Sequence, residues 1–217
     1  MRSLRLSSLV LLLIAGCSSP YKGLQWVERP GETAFRFKPV FDKEVYRCHV
    51  DGRFLFKKFH LSGILFFKSL KDGATRVVFQ NEMGYSFFDF GWDRVDSFKV
   101  VSITPQLNKA AVVKILRKDL ELLLMRHLDA GSQEILSRPA APEYNPYYRF
   151  KLQKGVGYYE MHQHKLDRIE AADKRPVTTI HLFEKPSLTA MPDSFSVVHH
   201  KAHFTITAKK IANSDAE

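Results

Sequence analysis

The sequence predicts an α+β domain, a strongly curved antiparallel β-sheet with one amphipathic helix packed on its concave face. Three observations carry this. Runs rich in phenylalanine, valine and tyrosine alternate with turn signals about every 8–12 residues. Several runs are apolar in both phases, as expected of strands covered on two faces, and a curved sheet with something packed inside it covers them in that way. One mid-chain segment alone switches to a helical period.

From about Thr33 to Thr104 the pattern is strands. Phe54 to His60 leads into Leu61-Ser62-Gly63-Ile64-Leu65-Phe66-Phe67-Lys68, and Asp72-Gly73 supplies a hairpin turn because glycine tolerates positive φ. Strands Thr75–Gln80, Tyr85–Phe90 and Val95–Thr104 follow, the first two separated by a turn at Asn81 to Gly84. The helix is expected over 108–127, with Asn108 as its N-cap after Pro105. Val112, Ile115, Leu116, Leu120, Leu123 and Leu124 form its apolar stripe, and Lys114, Arg117, Lys118 and Glu121 lie off it. That stripe must be buried, and the concave side of the sheet is the available place. Residues 129–146, with Gly131, Pro139, Pro142 and Pro146, read as a loop with a helical turn at Gln133–Leu136. Strands resume at 147–152, 157–164, 178–183, 194–199 and 203–208, before a frayed tail at 212–217.

The N-terminus has its own logic. Arg2 and Arg5 precede an uncharged apolar run, Leu9 to Ala15, followed by small residues. This is the layout of a secretory signal, and the run falls short of the about 20 residues that span a bilayer. Leu13-Ile14-Ala15-Gly16-Cys17 resembles the lipobox of bacterial lipoproteins. The resemblance implies cleavage after Gly16 and acylation of Cys17. Residues 17–32 then form a lipidated tether, and 33–211 a single domain. Each buried acyl CH₂ contributes ~0.8 kcal/mol, so multiple chains make a lasting anchor. Ser18, where enterobacterial lipoproteins retained at the inner membrane carry aspartate, implies the outer membrane, facing the periplasm.

Composition sets further bounds. With 45% hydrophobic residues and 17 phenylalanines, the chain has material for a large core. Cys48 is the one other cysteine, so the domain relies on that core rather than on an internal disulfide. The net charge of +10 points to an anionic membrane surface or glycolipid rather than nucleic acid, which an exported lipoprotein rarely meets. The basic residues are scattered, which equally fits a solvated basic surface.

Sheet, helix, loop and sheet again, behind a lipobox, resemble the LolA/LolB superfamily, whose members carry and receive acylated lipoproteins. The resemblance covers roughly residues 35–208. It implies an unclosed barrel with an apolar cavity for acyl chains. Phe66, Phe79, Phe88, Leu116 and Leu120 are the candidate cavity residues, with filling the core as their other reading. Leu61-Ser62-Gly63-Ile64-Leu65-Phe66 is similar to an early strand of LolB-like proteins, and Arg76 to Gly84 to their strand and protruding loop. On that match Met83 stands where the family places an exposed apolar residue that helps pass lipoprotein to the membrane. Glu82 departs from the family's proline there and puts a charge beside the tip. A buried turn residue is the alternative for Met83.

No catalytic signature is present: no Gly-x-Ser-x-Gly elbow, phosphate-binding glycine loop or His-Glu-x-x-His. His162 and His164 are expected on one strand face, and His199, His200 and His203 near a turn, but no carboxylate motif completes a metal site. Glu160 and Asp167 read as polar strand residues, and Cys48 as a buried, inert thiol. No cofactor is implied. The sequence therefore points to a membrane-anchored lipoprotein that binds acyl chains or another apolar ligand. A structural adaptor with a solid core, binding an envelope protein, is the alternative.

Overall fold

In the computed structural model, residues 21–54, 57–139 and 145–211 are described. The leader, Cys17 and the 212–217 tail lie outside them. Thirteen strands form one antiparallel sheet: β1 (Gln25–Trp26), β2 (Lys43–Phe54), β3 (Lys57–Ser69), β4 (Thr75–Gln80), β5 (Ser86–Trp92), β6 (Phe98–Ile103), β7 (Glu134–Ser137), β8 (Tyr147–Lys151), β9 (Val156–His162), β10 (Lys165–Asp173), β11 (Arg175–Phe183), β12 (Ser194–His199) and β13 (Phe204–Lys210). Their spatial order is β1-β7-β8-β9-β10-β11-β12-β13-β2-β3-β4-β5-β6. The sheet is unclosed, with β1 and β6 as its edges, and the last strand, β13, lies beside β2.

Alternation decides the two faces. Tyr46 and Cys48 on β2, Leu65 and Phe67 on β3, Val77 and Phe79 on β4, and Phe88 and Phe90 on β5 are buried, while their neighbours along each strand are more exposed. Phe150, Tyr159, Ile169, Ile180, Phe195, Val197 and Ile206 continue the same inner face on the other side of the β13–β2 join. Against it packs the one helix among the described residues, α1 (Ala110–Leu123), through Leu116, Leu120 and Leu123. Burying each such leucine contributes about 1.5–3 kcal/mol. Two tyrosine hydroxyls drawn into this layer are satisfied: Tyr159 Oη donates to the Leu122 carbonyl at 3.0 Å, and Tyr46 Oη to the Pro192 carbonyl at 2.8 Å.

Several local expectations differ, and β10 (Lys165–Asp173) was not among the expected strands. Lys109, not Asn108, is the N-cap, and it offers no side-chain cap bond. The helix ends at Leu123, because Met125 and His127 take positive φ (51° and 55°) and turn the chain. The stretch around Gln133–Leu136 is strand β7, fixed by pairing with β1 and β8 rather than by local preference. Within the segment read as a tether, Tyr21 stacks flat on Tyr158 (centroids 3.7 Å apart) and β1 extends β7. No described helix is long and apolar enough to cross a membrane.

Candidate functional site

The turns β2–β3, β4–β5, β8–β9, β10–β11 and β12–β13 all fall at one end of the sheet, as the antiparallel registers require. The β2–β3 hairpin reaches furthest. Gln80, the last residue of β4, pairs with Ile64 in mid-β3, and Gly63 lets the neighbouring chain turn there. A Cβ on Gly63 would stand 2.0 Å from the Gln80 carbonyl oxygen. Beyond this level the inner face of the hairpin continues without β4 beside it. Val50, Leu61 and Phe204 are half-buried against the core, and Phe59 is 37% exposed, its ring lying over Gly52. Phe87 on β5 and Val112 and Val113 at the start of α1 are likewise half-buried. These side chains form an apolar rim, the mouth, packed over the cluster that holds Phe79, Phe88 and Leu116.

The β4–β5 turn presents Met83 beside this mouth. The Asn81 side chain accepts hydrogen bonds from the Met83 and Tyr85 backbone N–H groups (3.0 and 2.8 Å), and Gly84 takes φ 84°. With its local amides satisfied, the turn leaves Met83 91% and Tyr85 54% exposed, so the buried-turn alternative for Met83 does not hold. Around the same end stand Arg53, Lys58, Lys154, Lys174, Arg175 and Lys201, all exposed. Asp173 partly offsets them through Lys154 (3.4 Å) and Lys201 (4.0 Å). Apolar side chains ringed by cations match an anionic bilayer surface.

The predicted cavity residues separate. Phe79, Phe88, Leu116 and Leu120 join one buried cluster, with the Phe79 and Phe88 rings 5.9 Å apart. Phe66 lies on the outer face of β3, in register with Val45 and Val78, and so does not point into that cluster. Between the sheet and α1 the side chains are packed together. The described hollows lie elsewhere, one on the outer face of β11–β13 and β2 and one of about 270 Å³ beside Lys185.

Solved structures similar to this chain include three bacterial proteins. A LolA superfamily protein from Nitrosomonas europaea aligns over 82% of this chain and 88% of its own (TM-score 0.47, 10% identity). A domain assigned to outer membrane lipoprotein sorting from Vibrio parahaemolyticus aligns over 84% and 87% (0.44, 5%). A DUF1329 family protein from Desulfovibrio piger aligns over 82% and 88% (0.43, 12%). No family model matches the chain, and no curated protein matches it.

Residues weighed for chemistry are dispersed. His162 ends β9, whereas His164 lies in the following turn with φ 64°, so the two do not share a strand face. His199 is buried and stacked on Phe204, and His200 Nε2 lies 2.9 Å from Thr179 Oγ1. Glu160 accepts from Tyr147 Oη at 2.8 Å and faces Arg168, while Asp167 is exposed. Cys48 is buried, and burial pushes its thiol up to about 12. No group of three or more His, Cys, Asp or Glu among the described residues is placed to hold a metal.

One residue escaped sequence reading. Asp119 sits on the sheet-facing side of α1, 3% exposed, with burial pushing its carboxyl up to about 7. Its spacing from Leu116 and Leu123 already puts it on the apolar stripe, which was the available signal.

Proposed function

We propose that this is a lipid-anchored envelope protein that takes an acyl chain, or another apolar ligand, through the mouth at the hairpin end of its sheet. The observation that carries this is the continuous apolar path from exposed Met83 and Phe59, past half-buried Leu61 and Phe204, to the core around Phe79. Binding is sequestration with no covalent step, worth about 25 cal/mol per Å² of hydrocarbon removed from water. Because the inner layer is filled, entry requires α1 to shift.

The lipobox-like Leu13–Cys17 supplies the anchor, and Ser18 favours the outer membrane with the domain facing the periplasm. Cys17 stands four positions before Tyr21, a reach of at most ~14 Å, so acyl chains on Cys17 hold the sheet close to the bilayer. The basic hairpin end then meets anionic headgroups while Met83 dips among them.

Two measurements test this reading. Full-length protein should incorporate radiolabelled palmitate, and Cys17→Ala should abolish both labelling and membrane fractionation. The Cys17→Ala protein should retain lipid in native mass spectrometry and take up a fluorescent fatty acid. A clean mass with no uptake sinks the carrier reading. A second reading, an adaptor that binds an envelope protein, is favoured by the packed interior and would then stand in its place.

A further inference from the structure

A hollow of about 600 Å³ lies on the outer face of the sheet, away from the mouth. Its origin is side-chain size. Ser194 and Ser196 on β12 and Thr207 on β13 form a low floor of three hydroxyls. Long side chains rise on both sides: Arg47, His49 and Lys209 along β2 and β13, and Phe183 at the end of β11. Registers fix the arrangement, because Arg47 pairs with Lys209, Lys209 with Ser194, and Ser194 with Phe183, in one row across four strands.

The charge in that row is unbalanced. Like charges directly opposite on one sheet face destabilise it, and elsewhere in the body of the outer face cations have carboxylates: Arg76 with Asp89, Arg149 with Glu134, Arg168 with Glu160 and Glu170. The other like-signed pairs of cations, Lys43–Lys68, Lys68–Arg76 and Arg53–Lys58, stand near strand ends. Arg47 lies within β2 and Lys209 is the penultimate residue of β13, and neither has an ion-pair partner among the described residues. Of the two carboxylates on β2, Glu44 is taken by Lys210 at 2.6 Å and Asp51 by His60 at 2.7 Å.

From this we infer a binding site for a phosphorylated saccharide. A guanidinium and an ammonium side by side suit phosphate oxygens, which also accept from hydroxyls. The hollow is far larger than one phosphate needs and falls in the range of small-molecule sites, about 300–1,000 Å³. The hydroxyl floor matches sugar hydroxyls, and the Phe183 ring, 50% exposed at the rim, offers a flat apolar platform for a sugar's C–H face. The phosphosugar is either free or the headgroup of a lipid, and both present the same chemistry to Arg47 and Lys209. The site is independent of the acyl-chain mouth.

Isothermal titration of the full chain carrying Cys17→Ala tests this with glucose 1-phosphate and inorganic phosphate, and flotation tests phosphatidylcholine vesicles containing phosphatidylinositol. Glucose 1-phosphate or the inositol vesicles should bind. The double variant Arg47→Gln/Lys209→Gln, and separately Ser196→Leu, which fills the floor without touching charge, should each weaken that binding by at least about tenfold without lowering the thermal midpoint. Binding only to vesicles assigns the lipid source, and binding to glucose 1-phosphate assigns the free one. No binding to either, binding unaffected by both variants, or inorganic phosphate binding as tightly as the sugar phosphate would overturn the inference.

Discussion

Thr178 Oγ1, on the inner face of β11, donates a hydrogen bond of 2.8 Å to Oδ1 of Asp119 on α1. It ties the helix to the sheet at a carboxyl whose other oxygen, Oδ2, is buried without a hydrogen-bond partner among the described residues. Burial raises the carboxyl to about 7, against the Thr178 bond and Lys118, which act to lower it. The raised value means the folded protein holds this proton where the unfolded chain has released it. Stability from this group is therefore full below pH ~4 and declines as pH rises toward ~7. Asp119→Asn should remove that decline and stabilise the protein at pH ~8 by on the order of 2–4 kcal/mol. Urea midpoints across this range decide it: a slope unchanged in the variant means Asp119 does not titrate there.

Met83 is held out by its turn rather than packed. Met83→Glu should leave the unfolding free energy from urea titration within about 0.5 kcal/mol of the parent while reducing co-sedimentation with phosphatidylglycerol vesicles. Binding by the parent should also weaken with added salt, since the surrounding cations are exposed. A large loss of stability would mean the side chain contributes to the fold.

Two glycines separate crowding from backbone strain. Gly63→Ala places a methyl against the Gln80 carbonyl and should cost at least about 3 kcal/mol or prevent folding. Gly84→Ala meets open space at φ 84° and should cost only about 1–2 kcal/mol. Equal effects in thermal unfolding would contradict the close approach of the two chains at Gly63.

Lys185 is buried at the edge of the smaller hollow, with Leu166, Pro186 and Leu188, and desolvation lowers its amine to about 8. More of it is neutral near pH 8 than of an exposed lysine. Brief treatment with acetic anhydride at that pH, read by peptide mass spectrometry, should modify Lys185 ahead of Lys71 or Lys109. Labelling of Lys185 only after the exposed lysines would show that burial blocks access.

Much of this architecture was legible in the sequence, because period-two and period-3.6 patterns are local. The Thr75–Gln80 strand and the Leu116–Leu120–Leu123 stripe stand where their spacing put them. The helix ends failed locally, at Lys109 and at the positive φ of Met125 and His127; other failures depended on the assembled sheet. Alternation puts Phe66 and Phe67 on opposite faces, and only the packed sheet shows that Phe67 is the inner one. Residues 134–137 became a strand because β1 and β8 flank them. The hydroxyl-floored hollow joins residues 47 and 49 to residues 183–211, and no reading along the chain brings these together. Asp119 was different: it lay in plain view among leucines, and its contradiction with the stripe was the clue.

The pairing of β13 with β2 also governs how the molecule can come into being. Ala208 meets Cys48 across that seam, some 160 positions apart along the chain. Contacts this remote slow folding, because closing the intervening loop costs entropy before the contact is made. During synthesis, strands β2 to β6 have their inner faces ready but lack one neighbour until β13 has emerged. The half of the sheet that begins at β2 is thus kept from settling into its final form until β13 has been made and has docked beside it.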